Sequence, residues 1–407
     1  MVQAARRGVV ALVMLFAGGC TGAAPAAQPA GVPVTIGLLA PASSAAAHGA
    51  QLAVDVVNGL VPEAPSPLVA ALSERRGPMA LVVAAPGATG AEAQQAVTRL
   101  VTQDKVAGIV LADPRRVVEA AERADGHQVP LVDASSSAVR LNDLGFDWYF
   151  RTAPSDRMLA AAALATLVPE RRAGSPPRLA IVAAASATQA NGTATLLHEL
   201  SAGSGVAHVV TVATGTGPDG PGRTGSELAR AEPDVVVAVA PDADAARTQL
   251  QAAAWLSSHV RLLGLGSGFA GGVALDEQHP YLLRAASWSA EFANRQPVAR
   301  EVALLYRARF GEPMSEPAAS AFTAAMTLAT AINAAGTTRA GEVRGALHQL
   351  WLPATQTIMP WDGVRFGPGG QNVLASGVVE QRVGKTFRVV YPPELAIAPP
   401  KLPPLSG

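Results

Sequence analysis

Short apolar runs alternate with longer amphipathic segments along most of the chain. From Val34 onward, β-branched runs bounded by Gly, Pro or Asp are followed by Ala- and Leu-rich stretches of helical period, which is the pattern of βαβ units. The pattern predicts strands at 34–39, 80–84, 108–111, 130–132, 179–182, 206–212, 235–239, 260–265 and 285–288. It predicts helices at 46–58, 91–102, 116–124, 157–167, 193–200, 243–256, 298–310, 318–334 and 339–350. Because most of the strand runs are continuously apolar, we expect parallel sheets covered on both faces.

The chain is too long for one core of this kind. It has 407 residues, and single hydrophobic cores stop growing near roughly 250–300 residues. The alternation breaks at 153–156, restarts after a Gly/Pro/Arg-rich stretch at 171–178, and gives way after Leu350 to short strand-like pieces at 364–366, 373–379 and 387–390. The sequence therefore predicts two α/β lobes, whose ligands bind outside the carboxyl ends of the strands.

Composition and charge narrow the possible partners. The chain is 49% hydrophobic and 15% charged, which is typical of a globular protein. Lys plus Arg and Asp plus Glu both number 31, so no net field favours nucleic acid, and we expect none as a partner.

The N-terminus has the order of an export signal. Arg6 and Arg7 precede an apolar run at 8–17 that is too short to span a bilayer, and Cys20, the only cysteine, follows two glycines. The sequence Ala17-Gly18-Gly19-Cys20 resembles a bacterial lipobox, which implies a signal peptide at 1–19 and lipidation of Cys20. Ordinary secretion with an incidental cysteine is the alternative. The Ala/Pro/Gly-rich stretch at 20–32 is typical of a flexible tether.

The order of motifs behind this signal resembles the type 1 periplasmic binding proteins, specifically the branched-chain amino acid and amide/urea binding proteins of ABC importers. The matching motifs are VTIGLLAP at 34–41, GAQLAVDVVN at 49–58, VPLV with its serine-rich loop at 129–137, FRTAPSD at 150–156, PWDGVRF at 360–366, GQN at 370–372 and VEQ at 379–381.

The resemblance implies two Rossmann-like lobes with parallel sheets, joined by three chain crossings near 152–156, 287–292 and 354–361. The implied segments are a first lobe from 33–152 and 288–354, a second lobe from 153–287 and 355–395 that includes the closing strands, and a Pro-rich tail at 396–407. It also implies that a ligand is held by closure of the lobes and that the closed form meets a membrane permease.

The serine-rich loop at 133–137 is the first candidate for ligand contact. It follows an apolar strand, where hydroxyl and backbone N–H groups can converge on a carboxylate or amide oxygen. The resemblance places Ser135 and Ser137 at positions that contact ligand in amino-acid-binding relatives. The alternative is that these serines only cap the next turn.

Other candidates depart from the pattern of the relatives. Arg115 could pair with a ligand carboxylate or be an ordinary surface arginine, and Asn191 could offer its amide to a polar ligand or belong to a turn. Trp288, near the second crossing, could cover an apolar part of the ligand or pack in the hinge.

The acidic residue that binds an α-ammonium in relatives is missing from the loop at 264–268. A cation without a counter-charge in a closed cleft is costly. Either Asp242 on the neighbouring loop therefore substitutes, or the ligand is not an α-amino acid. Ser267 is the polar side chain that this loop offers.

The sequence gives little support for an enzymatic function. Residues 266–271 fit G-x-G-x-x-G after a strand, but no acidic residue ends the following strand, so a dinucleotide site is disfavoured. The histidines lack metal-ligand spacing, and neither a G-x-S-x-G elbow nor a P-loop is present. We expect no cofactor, no metal and no catalysis.

The sequence thus predicts a monomeric, extracytoplasmic, lipid-anchored solute-binding protein that delivers a small polar molecule to an ABC permease. The ligand stays open between a branched-chain amino acid, an amide or urea compound and another small acid. A ligand-sensing lipoprotein of the same fold, acting in signalling, is the alternative.

Overall fold

The computed structural model describes residues 33–70, 72, 77–168, 175–184, 188–270, 279 and 281–404. The predicted signal peptide at 1–19, Cys20 and the tether at 20–32 lie outside the described residues.

The strands are β1 (Val34–Leu39), β2 (Met79–Ala84), β3 (Ile109–Leu111), β4 (Leu131–Asp133), β5 (Tyr149–Arg151), β6 (Arg178–Ala183), β7 (Ala207–Ala213), β8 (Val235–Val239), β9 (Arg261–Leu265), β10 (Leu283–Ala286), β11 (Leu352–Pro353), β12 (Gly363–Val364), β13 (Val378–Val383) and β14 (Thr386–Tyr391). The helices are α1 (Ala45–Val57), α2 (Ser66–Ala70), α3 (Gly90–Thr102), α4 (Val117–Gly126), α5 (Asp156–Leu167), α6 (Thr188–Ser201), α7 (Gly220–Arg230), α8 (Ala243–Ala253), α9 (Ala290–Arg295), α10 (Pro297–Phe310), α11 (Glu316–Ala335) and α12 (Ala340–Gln349).

The first sheet is parallel throughout and has the order β2-β1-β3-β4-β5 in the described part of the chain. Its strands β3, β4 and β5 are buried on both faces, whereas the edge strand β2 is mostly half-buried. Helices α3 and α4 cover one side of the sheet, and α1 and α11 cover the other. Parallel strands end at the same edge, so the loops after β1, β3 and β4 meet there.

Helix α11 is the central helix of this lobe. Among the described residues it alone is long and apolar enough to cross a membrane, but most of it is buried inside the protein. It packs against α1, and its N-terminal residue Glu316 lies at the loop edge of the sheet.

The second sheet is mixed. Within the described residues its order is β14-β13-β10-β9-β8-β6-β7, and β6 to β10 run parallel while β13 and β14 form an antiparallel hairpin beside β10. Helix α5 packs against β9, β10 and β13. A small antiparallel sheet consists of β11 and β12. The two large sheets, each with covering helices, confirm the predicted α/β fold class.

The chain passes between the sheets after β5, after β10 and before β13. The return before β13 comes later than 354–361, where the resemblance places the third crossing. The physical reason is that Phe366 packs edge-on against Phe150 of β5, with ring centroids 5.1 Å apart. Gln371 also accepts a hydrogen bond of 2.7 Å from buried Arg151. These contacts hold Phe366 and Gln371 on the first lobe, so the chain crosses to the second lobe only after them.

Three helices were not predicted, namely the short α2 and α9 and the longer α7. Residues 220–230 contain three glycines and a proline, which argue against a helix, yet they form α7. Packing explains this, because a Cβ atom on Gly225 would lie 2.5 Å from Trp255 Cδ1 and 2.8 Å from Ala252 O of the neighbouring α8 segment. The glycine lets α7 and α8 approach closely.

The Pro-rich tail is attached to the second lobe. Gln381 and Lys401 exchange two hydrogen bonds of 2.8 Å, and buried Arg261 donates from Nε to Pro403 O at 2.9 Å.

Candidate functional site: the cleft between the two sheets

The carboxyl ends of the strands from both sheets face a shared cavity of about 200 Å³. From the first lobe it is lined by Ala112, Pro114, Ala134, Ser135, Ser137, Glu316, Pro317 and Ser320; from the second lobe by Leu159, Gly266, Ser267, Phe269, Ala270, Arg284, Ala285 and Ala286; and at the crossings by Ala153, Pro154 and Ser287. Sites for drug-sized ligands occupy roughly 300–1,000 Å³, so this cavity suits a smaller molecule.

Asp133 shapes the serine-rich loop. Its buried carboxylate, at the end of β4, accepts the backbone N–H groups of Ser135 at 2.9 Å and Ser136 at 3.1 Å on Oδ1. On Oδ2 it accepts the Tyr149 hydroxyl at 2.7 Å. Burial, with the negative charge of Asp133 beside it, raises the pKa of Tyr149 well above its ordinary value, so the phenol keeps its proton. Asp133 therefore fixes the loop through its two backbone hydrogen bonds, and Tyr149 fixes Asp133.

Two hydroxyl groups of this loop have no partner. The Oγ atoms of Ser135 and Ser136 are buried and make no hydrogen bond within the described structure. Buried polar groups are nearly always hydrogen-bonded, so an unpaired pair needs an explanation. Ser135 lines the cavity, and a polar ligand atom there would satisfy its hydroxyl.

Ser137 also lines the cavity but is engaged with Asp156, the first residue of α5. The Ser137 side chain hydrogen-bonds the Asp156 carboxyl, and Asp156 N donates to Ser137 O at 2.6 Å. Thr193 of α6 donates to Asp156 Oδ2 at 2.7 Å. Burial is the dominant effect on Asp156 and raises its pKa. This carboxyl links the serine-rich loop of the first lobe to α6 of the second.

The facing wall is the loop after β9. Gly266 has φ of +95°, and Cβ atoms on Gly266 and Gly268 would lie 2.4 Å from Ala240 O and 2.2 Å from Asp242 O. The glycines of the G-x-G motif are thus required by contact with the loop after β8. Ser267, between them, donates its hydroxyl to Pro241 O and lines the cavity.

Charged side chains form one end of the cavity. Arg284 of β10 binds Glu380 of β13, with Nη2 2.6 Å and Nε 2.7 Å from Oε2. Its guanidinium lies over the Phe387 ring at 4.0 Å and donates to Phe269 O at 3.0 Å. This arginine is therefore neutralised and fixed in place.

Glu316 lies next to this pair. Its Oε1 accepts both the backbone N–H of Ser287 at 2.8 Å and the Ser287 hydroxyl at 2.5 Å. Burial raises the pKa of Glu316, while the Ser287 hydroxyl and the charge of Arg284 act in the opposite direction. Sequence reasoning missed Glu316 and Arg284. The Ser-Glu-Pro start of α11 was the available signal for Glu316, but it reads as a helix start alone.

The structure brings together three of the predicted site residues in this cavity, namely Ser135, Ser137 and Ser267. The other predicted residues lie elsewhere. Arg115 forms a two-point ion pair with Asp113, with Nη2 2.8 Å from Oδ2, and is largely exposed. Asp242 is exposed and caps α8 by accepting Asp244 N and Ala245 N.

Asn191 is exposed on α6, and its carbonyl accepts the Thr195 hydroxyl. Trp288 is 3% exposed and does not line the cavity. Its Nε1 donates to Ile358 O at 3.1 Å, so the structure places it as a packing residue at the crossing.

The cleft continues outward. A groove of about 840 Å³, which shares Pro114 with the cavity, runs between α4 and α6 and is bordered by Arg115, Gly192 and Pro241. A separate cavity of about 360 Å³, lined by Val34 and Gly336 among others, lies at the amino-terminal end of the first sheet and is remote from the cleft. The described residues contain no group of three His, Cys, Asp or Glu side chains that could hold a metal ion.

A family profile matches the sequence, and solved structures resemble the fold. The periplasmic binding protein profile matches residues 32–380. The structure resembles an ABC transporter substrate-binding protein from Desulfitobacterium hafniense solved with Leu, at 18% identity and a TM-score of 0.72 over 88% of this chain and 100% of that one.

It also resembles a leucine-binding protein from Thermotoga maritima, at 18% identity and a TM-score of 0.68 over 88% of this chain and 97% of that one. A third similar structure is a solute-binding protein of an R. palustris ABC transporter in complex with benzoate, at 13% identity and a TM-score of 0.69 over 88% of this chain and 96% of that one. No protein of curated function matches the chain by sequence.

At these identities the solved structures establish the fold, and the profile covers most of the chain. The chain belongs to the periplasmic binding protein family.

Proposed function

We propose that this protein is the extracytoplasmic solute-binding component of an ABC importer. It binds one small polar organic molecule in the cleft between the lobes and releases it unchanged to a membrane permease. Similar structures hold Leu and benzoate, so the fold accommodates both amino acids and aromatic acids, and the fold alone does not choose the ligand.

The observation that carries this proposal is the buried, unpartnered hydroxyl of Ser135, a residue that lines the cavity. Leaving a hydroxyl buried and unpaired costs about 1–3 kcal/mol. A ligand oxygen or nitrogen at this position would remove that cost and would be held by a loop that Asp133 already fixes. Such a preorganised loop favours binding because little ordering is left to occur.

The cavity has contributions from both lobes, which suits a closing mechanism. Ser135 and Glu316 belong to the first lobe, and Ser267 and Arg284 to the second. A ligand that contacts both sides stabilises the arrangement in which the walls are close, and this differential affinity shifts the population toward the closed form.

The proposal includes attachment to the membrane. A short apolar segment followed by Cys20 supports lipidation of this cysteine, and the Ala/Pro-rich stretch after it would let the two lobes reach a permease.

A thermal-shift screen of amino acids, amides and organic acids, followed by calorimetry on the hits, tests this function. A ligand at 100 times its Kd adds about 2.7 kcal/mol to the free energy of unfolding. We expect a stoichiometry of one and full recovery of the unchanged ligand by NMR. Ser226→Ala, in which the lost hydroxyl bonds only to Gly222 O on α7, is the control. Chemical turnover of a hit, or no shift with any class of compound, would contradict the proposal.

A further inference from the structure

The cavity contains one carboxyl group that forms no ion pair with a described residue. Two charged side chains line it in the described part of the chain, Arg284 and Glu316. Arg284 is neutralised by Glu380. Glu316 has no ion pair with any described residue, and its hydrogen bonds come from the uncharged Ser287.

The two oxygens of Glu316 have different surroundings. Oε1 accepts both hydrogen bonds from Ser287, whereas no described group donates to Oε2. A carboxylate has about four acceptor positions, so Glu316 can still accept hydrogen bonds from a ligand.

The position of Glu316 is also fixed before a ligand arrives. It is the first residue of α11, a long helix buried against α1, and the two bonds from Ser287 hold its carboxylate. Burial favours the neutral form of this carboxyl and raises its pKa, whereas Arg284 and the positive end of the helix dipole favour the ionised form.

Resting on the function proposed above, we infer that Glu316 is the ligand's counter-charge and that the transported molecule carries a protonated amine or amidinium group. The carboxylate of Glu316 accepts two hydrogen bonds from Ser287 on one oxygen and receives the ligand's N–H groups on the other. Ser135, on the serine-rich loop of the same cavity, meets a polar group at the opposite part of the ligand.

This assignment explains how the cleft works without a carboxylate in the loop at 264–268. A cation enclosed without a counter-charge is strongly disfavoured, and Asp242 is directed to the start of α8 by its two backbone hydrogen bonds. Glu316 supplies the charge from the first lobe. An anionic ligand without nitrogen, by contrast, would meet Glu316 as a like charge, which weakens binding.

The pH dependence of binding follows from the same arrangement. Burial raises the pKa of Glu316, while the charge of Glu380 also raises it and Ser287 and Arg284 lower it. A bound cation favours the ionised carboxylate, so binding expels a proton where Glu316 is partly protonated. Affinity for an amine should therefore fall as the pH drops through this pKa.

The test uses pairs of compounds that differ only in the amino group, namely L-leucine with 4-methylpentanoate and benzylamine with toluene. Benzoate is added as an anion that lacks an amine. Each is titrated calorimetrically into the wild-type protein, Glu316→Gln and Glu342→Gln. Glu342 is a matched control, because it also lies in the first turn of a helix, α12, but pairs with Arg339 outside the cavity.

We expect the amine-bearing member of a pair to bind and to lose affinity by about 10- to 100-fold in Glu316→Gln, the size of a lost charge-assisted hydrogen bond. Affinity in Glu342→Gln should stay unchanged. Titrations in two buffers of different ionisation enthalpy should show proton release with the wild-type protein and none with Glu316→Gln.

Tight binding of amine-free compounds, with equal or higher affinity in Glu316→Gln, would overturn the inference and leave the transport function standing. If no compound of either kind binds the folded wild-type protein, the proposed function fails, and this inference fails with it.

Discussion

Trp288 and Trp361 each donate an indole hydrogen bond to the backbone of the segment that carries the other. Trp288 Nε1 donates to Ile358 O at 3.1 Å, and Trp361 Nε1 donates to Ser287 O at 3.2 Å. Both indoles are buried in the core cluster of the first lobe. The exchange ties the crossing after β10 to the segment that leads back toward the second sheet, so two of the three connections between the lobes are joined to each other.

Replacing Trp288 by Phe should destabilise the protein and leave ligand affinity unchanged. The change leaves Ile358 O buried without its donor, which costs about 1–3 kcal/mol. Urea denaturation measures the loss. Trp351→Phe, at an exposed tryptophan, should change stability by less than about 0.5 kcal/mol. A large loss of affinity in Trp288→Phe at unchanged stability would show instead that the indole contacts the ligand.

Ser135→Ala should weaken ligand binding without loss of stability. The hydroxyl has no partner in the described structure, so its removal relieves an unpaired buried group, and the melting temperature should stay constant or rise. Calorimetry on any ligand found in the screen should show weaker binding by about 5- to 20-fold, the size of one neutral hydrogen bond. Ser226→Ala should leave affinity unchanged. Equal affinity in Ser135→Ala would place the ligand away from the serine-rich loop.

Two glycines of α7 should respond in opposite directions to alanine. In Gly225→Ala the new methyl group collides with Trp255 and Ala252 O, and overpacking of this kind costs about 1–3 kcal/mol. In Gly222→Ala the nearest atom is Trp255 Cζ2 at 3.7 Å, an ordinary contact. The higher helix propensity of alanine should then stabilise the protein by about 0.5–1 kcal/mol. Thermal unfolding of both variants checks the signs, and equal effects would contradict the close packing of α7 on α8.

Asp156→Asn should flatten the pH dependence of stability. Burial raises the pKa of Asp156, although Ser137, Thr193 and Arg151 oppose the shift. The folded state therefore holds this proton more tightly than the unfolded chain. Its contribution to stability is complete below the ordinary pKa of aspartate and is lost as the pH rises through the raised value.

The measurement for Asp156 is the difference in melting temperature between Asp156→Asn and the wild type, taken from about pH 4 to about pH 7. We expect this difference to increase with pH in favour of the asparagine variant. A difference that shrinks as the pH rises would mean that the carboxylate is stabilised as an anion.

Cys20→Ser should release the protein from the membrane. If Cys20 carries the lipid, the serine variant lacks the acyl chains that hold it to the bilayer. Cell fractionation followed by detergent phase partitioning measures the shift, with Thr21→Ser as the control. Continued membrane attachment of the Cys20→Ser variant would contradict lipidation at this residue.

The sheets could be predicted well from the sequence because their strands are continuous apolar runs. The run at 235–239 is β8 at both ends, and the run at 34–39 is β1. A continuous apolar run predicts a strand that is covered on both faces, and this prediction does not depend on which helices cover it. Helix α7 escaped prediction because its glycines serve contact with α8, a residue-to-residue fit that no local pattern contains.

The cleft was only partly predictable for the same reason. The serine-rich loop could be found because it directly follows a strand, and the carboxyl ends of parallel strands meet. Glu316 lies near that loop only because the chain returns to the first lobe after β10 and begins α11 there. Its proposed role depends on Ser287 and Arg284, which are about 30 residues away in sequence. A single sequence does not show that these residues are close in space.

The docked tail makes the far end of the polypeptide part of the second lobe's architecture. Trimming the last few residues, by protease or by design, would leave the Arg261 guanidinium facing a vacated surface and would strip Gln381 of both bonds to Lys401. A fluorescent reporter or an immobilisation handle should therefore leave residues 401–403 in place, since a fusion that replaces them would remove these contacts with the second lobe.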